Sequence, residues 1–189
     1  MTADEQAIPV LTLWQPWATL VACGMKRIET RSWSTNYRGR LAIHAAARSF
    51  GIDSDTAEVV RSFDLSDWQH LGQQIKPGRR VDPEMGENYP RGAVIATAEL
   101  VDVIPMVVAG EEGAIRTLDI DDNGSLWITE PVEDEDNDPQ DWREVTAERP
   151  FGDYRPGRFA WLLEDIRRLP EPVPFKGGQG LTRKVALNA

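Results

Sequence analysis

The chain has 189 residues, a formal net charge of -10, 41% hydrophobic and 28% charged residues, which suits a soluble globular protein of one domain, with or without insertions. A single cysteine, Cys23, excludes an intrachain disulfide, and one cysteine with two histidines argues against a structural zinc site. No apolar run approaches the ~18 residues of a membrane span, and MTADEQAIPV lacks the basic and apolar regions of a signal peptide, so no membrane contact and a cytoplasmic location are expected.

In chain order, IPVLTL (8–13) predicts a strand from its β-branched and leucine residues. Pro16 to Cys23 predicts a short apolar helix, with proline in its first turn and Gly24 ending it. KRIETRSW (26–33) alternates like a strand, with Arg27, Glu29 and Arg31 on one face and Lys26, Ile28 and Thr30 on the other. STNYRG is turn-like, and RLAIHAAA (40–47) predicts a second strand entering the core. Helical spacing of Val59, Val60, Phe63, Trp68 and Leu71 predicts helices over 53–74, followed by a polar loop rich in Pro and Gly. GAVIATAELVDVI (92–104) is the clearest strand. Residues 106–129 are short and mixed. The insert 130–148 is dense in charge and predicts a disordered excursion or a solvated loop. GRFAWLLEDIRRL (157–169) is a strong strand, and the turn-rich 172–185 closes the sheet. Sequential strands with tight turns favour an antiparallel or mixed sheet. The expected fold class is therefore α+β: a single domain over 1–189, built as a small mixed β-barrel flanked by helices.

Charge is unevenly spread. Between Glu111 and Glu148 stand fourteen carboxylates and two arginines, which alone accounts for the acidic total. From Gly24 to Arg48 the balance reverses: Lys26, Arg27, Arg31, Arg38, Arg40 and Arg48 face a single carboxylate, Glu29. A basic stretch bearing Trp14, Trp17 and Trp33 suits a flat ligand that is anionic or base-like. Indole rings can stack on a base, worth ~1–3 kcal/mol. Glu29 can accept from an exocyclic amine, Gln15 can both donate and accept, and Lys26, Arg31, Arg38 and Arg40 can hold phosphates. Nothing in the sequence requires a cofactor or a metal.

The runs Leu13-Trp14-Gln15-Pro16-Trp17-Ala18, Gly24-Met25-Lys26-Arg27-Ile28-Glu29-Thr30-Arg31 and Arg38-Gly39-Arg40-Leu41-Ala42-Ile43-His44-Ala45 resemble the ASCH domain of the PUA-like superfamily. Its signature spacing is G-x-K-x-x-E-x-R. Arg91–Ile95 and Gly157–Trp161 also resemble family core strands. The resemblance covers most of the chain outside 53–75 and the acidic insert. It implies a PUA-like barrel with a cleft lined by the signature helix and strand, and RNA or modified nucleosides or nucleotides as ligands. One branch of the family hydrolyses the acetyl amide of acetylated cytidine nucleosides, and other members are linked to ribonuclease activity. In the hydrolytic branch the signature lysine works with a threonine three residues later. Here Lys26 matches the lysine, but Glu29 stands at the threonine position, so the catalytic pair would be Lys26 and Glu29.

Three functional classes follow: binding of RNA or a nucleotide, hydrolysis at the same cleft, and a protein-interaction module using the acidic segment and surface tryptophans. Fold alone does not choose among them. Several of these residues also fit plain structural roles. Trp14 and Trp17 fit a core; Glu29 and Arg31 fit an ion pair that holds the strand; Arg38 fits an exposed turn. His44 fits a buried, hydrogen-bonded histidine, Trp127 and Trp161 a core, Lys176 a solvated loop, and Cys23 a buried inert thiol.

Overall fold

The computed structural model describes residues 7–48, 89–106, 117–120, 126–129 and 143–187. The helices expected over 53–74, most of the polar loop after them, and 130–142 of the acidic insert lie outside the described residues. The elements are β1 (Ile8–Leu13), α1 (Trp17–Ala22), β2 (Ile28–Arg31), β3 (Gly39–Ala45), β4 (Ala93–Pro105), β5 (Thr117–Ile120), β6 (Leu126–Thr129), β7 (Arg143–Glu144), a 3-10 helix (Thr146–Phe151), β8 (Phe159–Pro174) and β9 (Lys184–Val185). No helix among the described residues is long and apolar enough to cross a membrane.

Six strands are hydrogen-bonded in the order β2-β8-β4-β3-β1-β9, and three more in the order β5-β6-β7. The expected mixed sheet is present: β1 runs parallel to β3 and antiparallel to β9. The expected barrel is corrected to an open sheet. Closure requires the two end strands to pair with each other. Among the described residues β2 and β9 are the ends of the order, with four and two residues respectively.

The chain falls into two compact units, with β4 and β8 each passing from one to the other. The first comprises the described parts of Met1–Lys26, Gly39–Glu99 and Glu164–Ala189. Its core joins Val10 of β1, Ala42 of β3, Val94 of β4 and Val185 of β9, with Ile8, Leu169, Phe175 and Leu187 packed against them. Five consecutive residues of β3, Leu41 to Ala45, are buried, which is why that strand is apolar without alternation.

The second unit comprises Arg27–Arg38 and the described parts of Leu100–Leu163. Here β2 pairs antiparallel with the start of β8, Ile28 opposite Leu162 and Arg31 opposite Phe159. Ile28, Ile104, Met106, Ile128, Tyr154, Ala160 and Leu162 form its core. In the stretch expected to be short and mixed, Thr117–Ile120 and Leu126–Thr129 pair as β5 and β6. The acidic insert departs from expectation: it does not stay solvated to its end, where Glu148 is buried. Arg143–Glu144 joins β6 as β7, and the 3-10 helix follows at once. The reason is pairing: Glu144 lies opposite Trp127, so a charged dipeptide is ordered by a strand outside the insert.

Candidate functional site

In the first unit the motif begins at the end of α1. Gly24 adopts φ 77, a conformation that costs an L side chain about 1–2 kcal/mol, so glycine is required there by the backbone. Its amide donates to the Val21 carbonyl, and the Met25 and Lys26 amides both donate to the Leu20 carbonyl, which satisfies carbonyls of the last helical turn. Gln15 is 0% exposed. Its Nε2 donates to the Pro90 carbonyl at 2.7 Å and its Oε1 accepts from the Thr19 amide at 3.2 Å. Those bonds make Gln15 an internal tie, with both ends of its amide engaged inside the fold instead of facing a base edge. Lys26 is also enclosed, at 1% exposure. Trp14 is exposed at 42% and Trp17 is half-buried. Arg40 is exposed and donates Nη2 to Thr97 Oγ1 at 3.0 Å.

Cys23 corrects an expectation: it is exposed rather than buried. Partial burial still pushes its thiol up, and Sγ donates to the Leu20 carbonyl at 3.2 Å. Both effects favour the unreactive protonated form.

His44 of β3 is 2% exposed, and its Nε2 donates to the Phe175 carbonyl at 2.9 Å. Nδ1 is therefore a bare nitrogen, and it has no hydrogen-bond partner among the described residues. Burial pushes the imidazole below its ordinary value, outweighing the Phe175 bond. The histidine is thus a structural post for the C-terminal segment. An imidazole held neutral in the fold destabilises it in acid. Unfolded His44 takes up a proton as pH falls below about 6.5, while folded His44 resists. Stability should therefore fall from pH 7 to pH 5, and more steeply in the natural chain than in His44→Gln. His70 is common to both proteins, so the difference between their urea midpoints isolates His44; equal pH profiles would refute the assignment.

In the second unit the alternation of β2 sorts the motif. Ile28 faces the core, whereas Glu29 and Arg31 share a face with their ladder partners Trp161 and Phe159. Arg31 Nε lies 3.0 Å from Glu29 Oε1; the two side chains are 25% and 10% exposed. Trp161 is sealed and meets Trp33 edge to face, with ring centroids 4.7 Å apart. Its Nε1 donates to the Trp33 carbonyl at 3.4 Å, leaving the Trp33 ring half-buried beside the motif strand. Arg38 is exposed; it donates Nη1 to the Thr35 and Tyr37 carbonyls and pairs through Nη2 with Asp102 at 3.0 Å. Two expected phosphate contacts, Arg31 and Arg38, thus each face a carboxylate.

Sequence reasoning missed Glu148. It is buried at the far end of the acidic insert and accepts from the amides of Arg27 and Ile28, at 2.6 and 3.3 Å. Its carbonyl accepts from Tyr154 Oη at 3.2 Å. Desolvation first, then Glu148 and Glu29, push the Tyr154 phenol far up, so it stays protonated and donates. No local pattern marks Glu148: more than a hundred residues separate it from its partners.

The described fold is thus a mixed sheet with few helices, carrying G-x-K-x-x-E-x-R from a glycine-ended helix into a short strand at the end of the strand order. A family model of the ASCH domain matches residues 11–114, more than half the chain, and the chain belongs to that family. It is also similar to activating signal cointegrator 1 of Homo sapiens, 33% identical over 94 residues, and of Mus musculus, 32% identical over 94 residues. The aligned stretch covers 50% of this chain but only 14% of each relative.

Proposed function

We propose that the second unit binds RNA or a nucleotide, modified or unmodified, on the face of β2 that carries Glu29 and Arg31 beside Trp33. The observation that carries this reading is the Glu29–Arg31 pair on the face opposite the core, with the Arg31 side chain a quarter exposed. A guanidinium oriented by a carboxylate is pre-organised for a phosphate or a base plane. A half-buried indole nearby supplies a stacking surface. Membership of the ASCH family supports the same ligand class. Arg38, in the same unit, is exposed and extends the list of candidate contacts.

Hydrolysis asks more. A catalytic lysine must bring its amine to a substrate, and Lys26 is enclosed. Binding makes no such demand on it. A protein partner for the acidic segment has no specific support, since 130–142 lie outside the described residues.

Titration of short single-stranded RNA at several salt concentrations tests the proposal. The natural chain should bind more weakly as salt rises. Arg31→Ala should reduce affinity and flatten the log–log slope by about 0.7, the loss of one phosphate contact. Undetectable binding at low salt, or a slope untouched by Arg31→Ala, would refute it.

A further inference from the structure

Strand β2 has only four residues, and its two faces have opposite chemistry. Ile28 enters the core with Ile104, Met106, Ile128 and Leu162, while Glu29 and Arg31 point the other way. A slip of one residue along β8 would drive both charges into that core and turn Ile28 out. Four ladder pairs are a short grip against such a slip, so the register needs a further anchor.

Glu148 is placed to supply it. In a regular strand, successive amides point to opposite edges. Just ahead of β2 the amides of Arg27 and Ile28 instead converge on one carboxylate, Oε1 on the first and Oε2 on the second. Residue 27 is held from both sides, because its carbonyl accepts from the Leu163 amide at 2.8 Å. Glu148 is itself fixed: its amide donates to the Val145 carbonyl at 2.8 Å, and its carbonyl is held by Tyr154. A second pin lies further along, where Thr30 Oγ1 accepts from the Asp153 amide at 3.0 Å. That contact fixes the inward-facing side chain of the strand; Glu148 fixes the two peptides from which the Glu29–Arg31 pair extends.

We propose that Glu148 is the positioning residue of the motif. Its carboxylate clamps the backbone at Arg27 and Ile28 and so holds Glu29 and Arg31 in register on the binding face. The part of this that concerns ligand affinity rests on the RNA-binding reading above. Charge-assisted bonds to backbone amides are strong and directional, which suits a register pin. Glu148→Gln keeps one carbonyl-type oxygen but turns an amino group toward the second amide, so one of the two bonds is lost.

A double-mutant cycle on the full chain tests the proposal, using Glu148→Gln, Arg31→Ala and the double variant. The readouts are affinity for short single-stranded RNA, amide exchange at Arg27 and Ile28, and the Nε–H resonance of Arg31. Glu148→Gln should speed exchange at both amides, shift the Arg31 resonance and weaken RNA binding about tenfold. In the Arg31→Ala background it should weaken binding no further, because positioning acts through the guanidinium. A purely structural role would lower the melting temperature and leave folded-state affinity unchanged, or give additive losses; either result overturns the proposal. If the natural chain binds no RNA, the functional reading fails, and the clamp is then judged on the Arg31 resonance alone. A resonance unmoved by Glu148→Gln overturns it. Should Glu148→Gln fail to fold, Tyr154→Phe removes the bond to the Glu148 carbonyl while keeping the ring, and should shift the same signals less.

Discussion

Trp161→Ala is expected to destabilise the protein by about 3–5 kcal/mol, the largest effect of any single substitution considered for this chain. Among the described residues Trp161 is the largest fully buried side chain, with no exposed surface. Truncation removes the transfer energy of an indole and leaves a cavity that its neighbours fill only partly. It also removes the edge-to-face contact with Trp33 and the hydrogen bond to the Trp33 carbonyl. The loss reaches the motif as well, because Trp161 lies directly opposite Glu29 in the β2–β8 ladder. Urea denaturation checks the magnitude, and near-ultraviolet circular dichroism checks whether Trp33 loses its fixed environment. Should the alanine variant not fold, Trp161→Phe is expected to give a smaller loss in the same direction. A change below about 1 kcal/mol, the size of an ordinary surface effect, would show that the indole is not packed as described.

The second large effect is expected at Gly177, in the turn-rich segment after β8. A β-carbon there would lie 2.5 Å from His44 Nδ1 and 2.7 Å from Thr12 Oγ1. These two residues are register partners on β1 and β3, so neither is the loose end of a long chain. His44 is also held by Phe175, two residues before the glycine. Gly177→Ala should therefore force the segment off the sheet or distort the ring, at about 1–3 kcal/mol. The requirement is one of space rather than backbone conformation. Accordingly, Gly177→Ala should cost less in a His44→Ala background, which removes the ring and leaves only the contact with Thr12. Thermal melts of the two single variants and the double variant measure that coupling. Additive losses would mean that the steric account is wrong.

Smaller effects are expected on the rim. The Arg38–Asp102 pair is partly exposed, and pairs of that kind contribute about 0–1 kcal/mol. Its consequence is electrostatic: each of these arginines stands beside a carboxylate, so the basic stretch offers less net positive charge than its sequence suggests. Any affinity for phosphates then depends on orientation more than on bulk charge.

Local patterns carried much of the fold. The strands at 8–13, 92–104 and 157–169 follow from apolar and β-branched runs, and α1 with its glycine stop follows from the sequence around Gly24. The alternation of Ile28, Glu29, Thr30 and Arg31 correctly separates the core face from the face that carries Glu29 and Arg31, because side-chain direction in a strand has period two. Where local order depends on a distant partner, that information is missing. β7 forms only because β6 receives it, and Glu148 matters only because the chain returns it to amides far away in sequence. Burial is equally non-local. Gln15 and Lys26 look like surface ligands from their polarity, yet both are enclosed, and the exposed Cys23 lies in an apolar run. Periodicity and backbone chemistry are properties of neighbouring residues, so the sequence alone yields elements and faces. Which polar groups reach solvent, and which carboxylate holds which strand, depends on contacts between residues that only the folded chain brings together.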